Sequence, residues 1–289
     1  MKAKASAFAP GHVTGFFAVS DEPPGSTGAG FCVELGVRTD VKISPSKEKN
    51  PKLSLTLNGK KEDLPTSREV VRRFLELLPG KHWHIEISHK AQLPVGFGFG
   101  MSGAGALSLA LALNKAMKTK LTEIEAARIA HEAEIECGTG LGSVIAERLG
   151  GFGVRKEAAS FDTYEPIKYG SKLSAVLAPM RPLSTAKIIR DEHWKARIGG
   201  IGSACVRDIM GDLTSASFTK LSRLFATESG LAHGDVLAAM RESGGSMAML
   251  GESVFVLTET PKKAAAILKK YCRKPITTKI SRKGARLLR

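Results

Sequence analysis

Pro94-Val-Gly-Phe-Gly98-Phe-Gly100-Met-Ser102-Gly103-Ala-Gly105 runs without a break into an apolar, Ala- and Leu-rich stretch that reads as a helix. Glycines let a backbone approach a ligand closely and adopt positive φ, which a side chain would forbid. A helix that starts from such a loop offers unpaired N–H groups and the positive end of its dipole, so the junction is a ready anion site, most often for phosphate. Ser102 adds a hydroxyl where a metal bound to that phosphate can sit. The loop is read as a nucleotide site.

Two familiar phosphate loops fit poorly. A P-loop ends in Gly-Lys-Ser/Thr, and no Lys occurs between Lys90 and Lys115. Gly98-x-Gly100-x-x-Gly103 matches the dinucleotide fingerprint, but that motif needs a strand leading into its first glycine and an acid ending a later strand. Here the strand-like segment Trp83 to His89 stops short of the loop, and Thr122 to Cys137 is helical, opened by a capping box of Thr122 and Glu125. A turn with packing duties alone seldom needs so many glycines beside a serine.

The chain has 289 residues and 43% hydrophobic content, enough for a large core in one or two domains. Cys32, Cys137, Cys205 and Cys272 lie far apart with no Cys-x-x-Cys pair, as reduced thiols of a cytoplasmic protein do. Pro10 and Gly11 interrupt any signal-peptide core, and the Gly105–Leu113 apolar run is too short for a membrane span. Net charge is +15, and no acidic residue follows Glu259 while Lys and Arg accumulate from Lys262 to Arg289. Aromatic residues make up only 6% of the chain and scarcely interleave with that run, so no specific nucleic-acid partner is expected. Attraction of polyanionic small molecules is the more economical use of the charge. A homodimer stays open.

Leu53-x-Leu55-x-Leu57 alternates into Asn58-Gly59, a hairpin signal. Thr66 with Glu69 predicts a capped helix ending at Pro79-Gly80, and Phe31 to Ile43 reads as extended. A loop at Gly138–Gly142 precedes a short helix closed by Gly150-Gly151. After Arg155 a strand at Ser174–Ala178, helices at Ser215–Thr227 and Asp235–Glu242, a strand at Ser253–Thr258 and a helix opened by Pro261 suit an α+β second half.

Separated stretches together resemble the GHMP kinases, most closely the archaeal-type pantoate kinases. Pro94, Gly98, Phe99, Gly100 and Ser102 fall in register with that superfamily's nucleotide loop, while Met101 and Gly103 depart at less restrictive places. Ala9-Pro10-Gly11-His12-Val13-Thr14-Gly15-Phe16-Phe17 looks like its first motif, with His12 where many members carry Lys. Gly25-Ser26-Thr27-Gly28-Ala29-Gly30, Gly138-Thr139-Gly140-Leu141-Gly142 and Ser246–Phe255 resemble further segments, in the family's order.

The resemblance implies an α+β, two-domain GHMP kinase fold: a ribosomal protein S5 domain 2-like N-terminal domain over 1–156 and a ferredoxin-like C-terminal domain over 157–289. It implies transfer of the ATP γ-phosphate to a hydroxyl of pantoate, with ATP and Mg²⁺ as cofactors. Pro94, Gly98, Gly100, Met101, Ser102, Gly103 and Ala104 are then the nucleotide-binding residues, and the N–H groups of Gly100 to Ala104 the phosphate donors. Ser102 and one helical carboxylate would serve catalysis by holding Mg²⁺, which takes few protein ligands. Glu132, Glu134 and Glu136 alternate and so point different ways on a helix. Glu134 is the choice from the His131–Glu134 run, with Glu132 the alternative. Substrate contacts fall to Ser26, Thr139, Gly140, His12 and Arg155. His12 is read either as a ligand contact or as a structural hydrogen-bonder. Arg155 is read either as a carboxylate clamp or as an ordinary surface arginine. Where many GHMP kinases carry an Asp, the matching place here is Ser143, with Gly142 as the alternative, and neither is a base near neutral pH. The runner-up readings are a kinase of another small alcohol, such as homoserine or a mevalonate-type acid, and a basic RNA-binding protein.

Overall fold

The computed structural model describes residues 2–47, 52–162, 164–183, 188 and 191–289. In chain order the strands are β1 (Ala3–Asp21), β2 (Pro24–Pro45), β3 (Leu53–Leu57), β4 (Lys60–Lys61), β5 (Trp83–Ala91), β6 (Phe152–Arg155), β7 (Glu165–Pro166), β8 (Ser174–Arg181), β9 (Ser246–Met247), β10 (Glu252–Thr258), β11 (Ile276–Lys279) and β12 (Arg286–Leu288). The helices are α1 (Pro65–Glu76), α2 (Met101–Met117), α3 (Glu123–Cys137), α4 (Ser143–Leu149), α5 (Glu192–Ile209), α6 (Ser215–Glu228), α7 (Gly234–Ser243) and α8 (Pro261–Leu268).

The first sheet is built on a long antiparallel hairpin of β1 and β2. Its path runs β12-β1-β2-β5-β3-β4, with β6 also pairing β2 and β7 pairing β6. The Asn58-Gly59 turn joins β3 to β4 with φ of +49° and +82°, as a two-residue hairpin of this twist requires. The β1 hairpin arm was not legible as a strand, because bulges at Pro10/Gly11 and Thr14/Phe16 break its alternation. α2 is apolar on every side and accordingly buried, between β1 and β2 on one side and α1, α3 and α4 on the other.

The second sheet runs β11-β8-β10-β9, all antiparallel. Taking its strands as one to four, the order is four-one-three-two, the arrangement of a split β-α-β ferredoxin-like unit. The two sheets share one core. Phe31 and Phe152 of the first sheet meet Phe255 of β10 and Phe218 of α6, with ring centroids 5.4 Å (Phe31–Phe255) and 4.8 Å (Phe152–Phe218) apart. Edge-to-face pairs of this kind add about 0.5–1.5 kcal/mol each beyond their buried area. Beyond β11 the chain returns to the first sheet: Ser281 donates to Cys32 O, the Ala285 N–H donates to Glu147 O at 2.9 Å, and β12 pairs with β1. That tail fixes α4 from behind.

The capping box at Thr122 and Glu125 forms as expected. The one expected at Thr66 does not. α1 starts at Pro65 from Leu64 with no side-chain cap. Glu69 instead accepts from Arg72 and Arg73, and the Thr66 hydroxyl bonds Thr139 Oγ1 at 3.0 Å, tying α1 to the loop after α3. No helix among the described residues is long and apolar enough to cross a membrane.

Candidate active site

Gly100 is where the glycine loop becomes a helix. Its φ is +71°, and a Cβ there would strike the Glu147 carboxylate and come within 2.8 Å of the His12 N. Both facts demand glycine. The loop is held from two sides. The His12 N–H donates to Phe99 O at 3.1 Å, and Gly98 packs on the carbonyls of Ala248 and Met249. The Met249 N–H in turn donates to Thr14 O at 3.0 Å, so the Ala-Met-Leu-Gly stretch ties the loop to β1. Met247 and Met249 are both buried.

α2 opens onto a cavity of about 480 Å³. Gly98, Gly100, Met101, Ser102 and Gly103 line it, and so do His12, Ser26, Thr139, Gly140, Ser143 and Arg155. Two of the loop residues stand back from it. Pro94 begins the turn but does not line the cavity. The Ala104 N–H is already spent on Gly100 O at 2.9 Å, the first bond of the helix, and Ala104 is fully buried. The free donors of the first turn are therefore those of Met101, Ser102 and Gly103.

Of the candidate acids Glu132, Glu134 and Glu136 on α3, the helix turns only Glu134 inward. Glu134 shares a buried face with Ala127, Ala130 and Ala133. Thr139 Oγ1 donates to its Oε1 at 2.9 Å and Ser143 Oγ to its Oε2 at 3.1 Å. Burial pushes the Glu134 carboxyl above the ordinary range, while hydroxyls of Ser102, Thr139 and Ser143 pull it partly back. Glu132 and Glu136 face the other way, paired with Arg73 at 2.6 and 2.8 Å on the surface. Glu132 thus lies away from the loop.

Arg155, at the end of β6, is 8% exposed, which disposes of the surface reading. Its Nη2 donates to Ser26 O at 2.7 Å and Ser26 Oγ at 3.1 Å, while Nη1 is buried without a partner among the described residues. Gly142 clears the space: a Cβ there would meet the guanidinium and lie 2.6 Å from Ser26 Oγ. Burial lowers Arg155 to about 10, still a cation near neutral pH. Burial and the Arg155 charge hold His12 down to about 3, so its ring is neutral. Its Nδ1 lies 3.3 Å from the Thr14 hydroxyl.

One acid at the site went unread in the sequence. Glu147 lies four residues after Ser143, hence on the same face of α4. It is fully buried, and neither carboxylate oxygen has a partner among the described residues. Burial, and then the Glu134 carboxylate, push it well above the ordinary range.

The donor set around Ser102 is all oxygen, which fits a small hard cation such as Mg²⁺. Among the described residues no three His, Cys, Asp or Glu side chains converge into a metal cage. That suits an ion that arrives on nucleotide phosphates and takes one or two protein ligands.

The comparisons agree with this geometry. Residues 66–151 match the family described as GHMP kinases N terminal domain. The chain is 33% identical over 272 residues to the pantoate kinase of Methanocaldococcus jannaschii, covering 91% of this chain and 96% of that protein. The chain belongs to the GHMP kinases. To the pantoate kinase of Methanospirillum hungatei it is 32% identical, covering 93% of this chain and 91% of the other. A solved structure described as a phosphotransferase related to the CoA biosynthesis pathway superposes with a TM-score of 0.86 at 26% identity, covering 99% of each chain. The sheet-and-helix arrangement is thus the two-domain GHMP kinase fold, and the chain is an ATP-dependent small-molecule kinase.

Proposed function

We propose that this chain transfers the γ-phosphoryl group of ATP to the hydroxyl of pantoate, giving 4-phosphopantoate for coenzyme A synthesis, with Mg²⁺ as the accompanying ion. The observation that carries the acceptor class is Arg155. It is a buried cation with one unpartnered nitrogen, and it lines the same cavity as the glycine loop. An unpaired buried charge costs several kcal/mol, and a carboxylate-bearing acceptor offsets that cost with a charge-assisted hydrogen bond. The relatives named pantoate kinases point to the same acid.

The N–H groups of Met101, Ser102 and Gly103 hold the nucleotide phosphates at the helix N-terminus. Ser102 and Glu134 hold the cation, which when bound neutralises charge developing on the phosphoryl oxygens. The acceptor oxygen forms its bond to the γ-phosphorus as the bond to the β–γ bridging oxygen breaks, and ADP leaves. Neutral His12, with Ser26, Thr139 and Gly140, shapes the acceptor side of the cavity. The hydroxyl proton passes late to the transferred phosphate, because a loose transition state asks little of a base. The absence of membrane-spanning helices among the described residues and four unpaired cysteines support action in the cytoplasm.

An ATP-consumption screen over pantoate, pantothenate, homoserine and mevalonate tests the reading. Pantoate should turn over far faster than the rest. Preference for homoserine or mevalonate would reassign the acceptor, and no turnover together with salt-sensitive RNA binding would favour a binding protein. Ser143→Ala should change kcat by less than about tenfold, roughly 1.4 kcal/mol in the barrier. A larger loss at unchanged KM would give Ser143 a chemical role.

A further inference from the structure

Ser143 Oγ, Glu147 Oε2 and Glu134 Oε2 converge on one side of Gly103. They lie 2.7, 2.8 and 3.0 Å from the point a Cβ of that residue would occupy. The other Glu147 oxygen presses against Gly100. Two carboxylates therefore meet at the first turn of α2, directly behind the loop residues that face the cavity. Hydroxyl donors serve Glu134, but no group among the described residues serves Glu147.

A fully buried carboxylate with no hydrogen-bond donor is a costly group to keep. Packing does not explain it. A Gln or Leu would fill the same volume without that cost, and Gly100 and Gly103 are the residues that make room for the carboxylate. What the arrangement lacks is positive charge. The first-turn N–H groups of α2 supply only a partial one. Two adjacent carboxyl groups at the helix turn that carries Ser102 are an environment in which a divalent cation, by holding both of them ionised, is worth most.

We propose that Glu147 is a second carboxylate of the cation site, acting with Glu134 to hold the divalent ion at Ser102. It stands one helical turn beyond Ser143, on the same face, and supplies the acidic charge that position 143 lacks. The inference rests on the cation reading of Ser102 and Glu134 and is independent of which acceptor the enzyme phosphorylates.

The test is Mn²⁺ binding to the full chain with a non-hydrolysable ATP analogue and no acceptor, followed by the EPR signal of the free ion. Glu147→Gln should weaken Mn²⁺ by on the order of ten- to a hundredfold, the scale seen when a supporting group of a metal site is removed. Its melting temperature without metal or nucleotide should be close to that of the parent, since a buried carboxyl without a partner among the described residues has been replaced by an amide of the same size. Ser143→Asp combined with Glu147→Gln should recover most of the lost affinity, because it moves the carboxylate one turn along the same face. Normal Mn²⁺ binding by Glu147→Gln, with binding lost in Glu134→Gln, would overturn the inference and leave the Ser102–Glu134 site standing. Normal binding by both variants would remove the cation site itself. A Glu147→Gln protein that melts well below the parent without metal would assign Glu147 to packing and also overturn the inference.

Discussion

Arg155→Gln is expected to raise the KM for pantoate by on the order of a hundredfold, about 2.7 kcal/mol, while leaving the KM for ATP within a few-fold. The reason is local. Arg155 is fixed by Ser26 through Nη2, so its remaining nitrogen is already oriented and loses little freedom on binding an acceptor carboxylate. Gln keeps a donor but neither the charge nor the planar fork. Lys keeps the charge but not the fork, so Arg155→Lys should recover little. Folding should survive, because the substitution removes an unpaired buried cation. The neutral amide of pantoate gives the internal control. The parent enzyme should discriminate strongly against it, and Arg155→Gln should treat amide and acid nearly alike. Retained discrimination in the variant would show that another group reads the carboxylate.

The sequence made the site's polar face more legible than its back. The glycine loop could be read because its function is carried by backbone, and backbone demands show up as glycine. The loop at Gly138–Gly142 marks a different demand: Gly140 and Gly142 give room to the Glu134 carboxylate and the Arg155 guanidinium. That pairing emerges only once β6, α3 and the loop are brought together. Helical phase could have separated Glu134 from Glu132, since Glu134 follows Ala127 and Ala130 by seven and four residues. Glu147 was hidden because a lone Glu in a short helix is ordinarily solvated. Only the tail, which bonds its backbone through Ala285, and the packing of α4 on α2 take it out of water. Thr66 misled for a related reason. Its hydroxyl was claimed by Thr139, a partner 73 residues away, and a tertiary bond overrode a local capping pattern. The β1 arm was obscured by Pro10, Gly11 and Gly15, residues a strand tolerates only where bulges or a close neighbour require them.

Ser102→Ala is expected to lower kcat by on the order of a hundredfold or more, with a much smaller change in the KM for either substrate. Ser102 stands at the second position of α2, where its N–H is among the free donors of the first turn and its hydroxyl reaches the Glu134 carboxylate. The substitution keeps the N–H and the helix, since Ala is the better helix former. Ground-state nucleotide binding through the backbone should therefore persist. What disappears is a hydroxyl ligand to the cation and a donor to a buried carboxylate, both of which matter most when charge shifts between phosphoryl oxygens. Loss confined to kcat identifies an interaction made mainly in the transition state, whereas a rise in KM alone would mean uniform binding. Mn²⁺ makes the assignment sharper. Raising its concentration should restore part of the lost rate if the hydroxyl acts through the ion, because the remaining carboxylates still bind it. An unchanged kcat would remove Ser102 from the mechanism. A loss that no metal concentration relieves would place the hydroxyl's effect on the orientation of Glu134 instead.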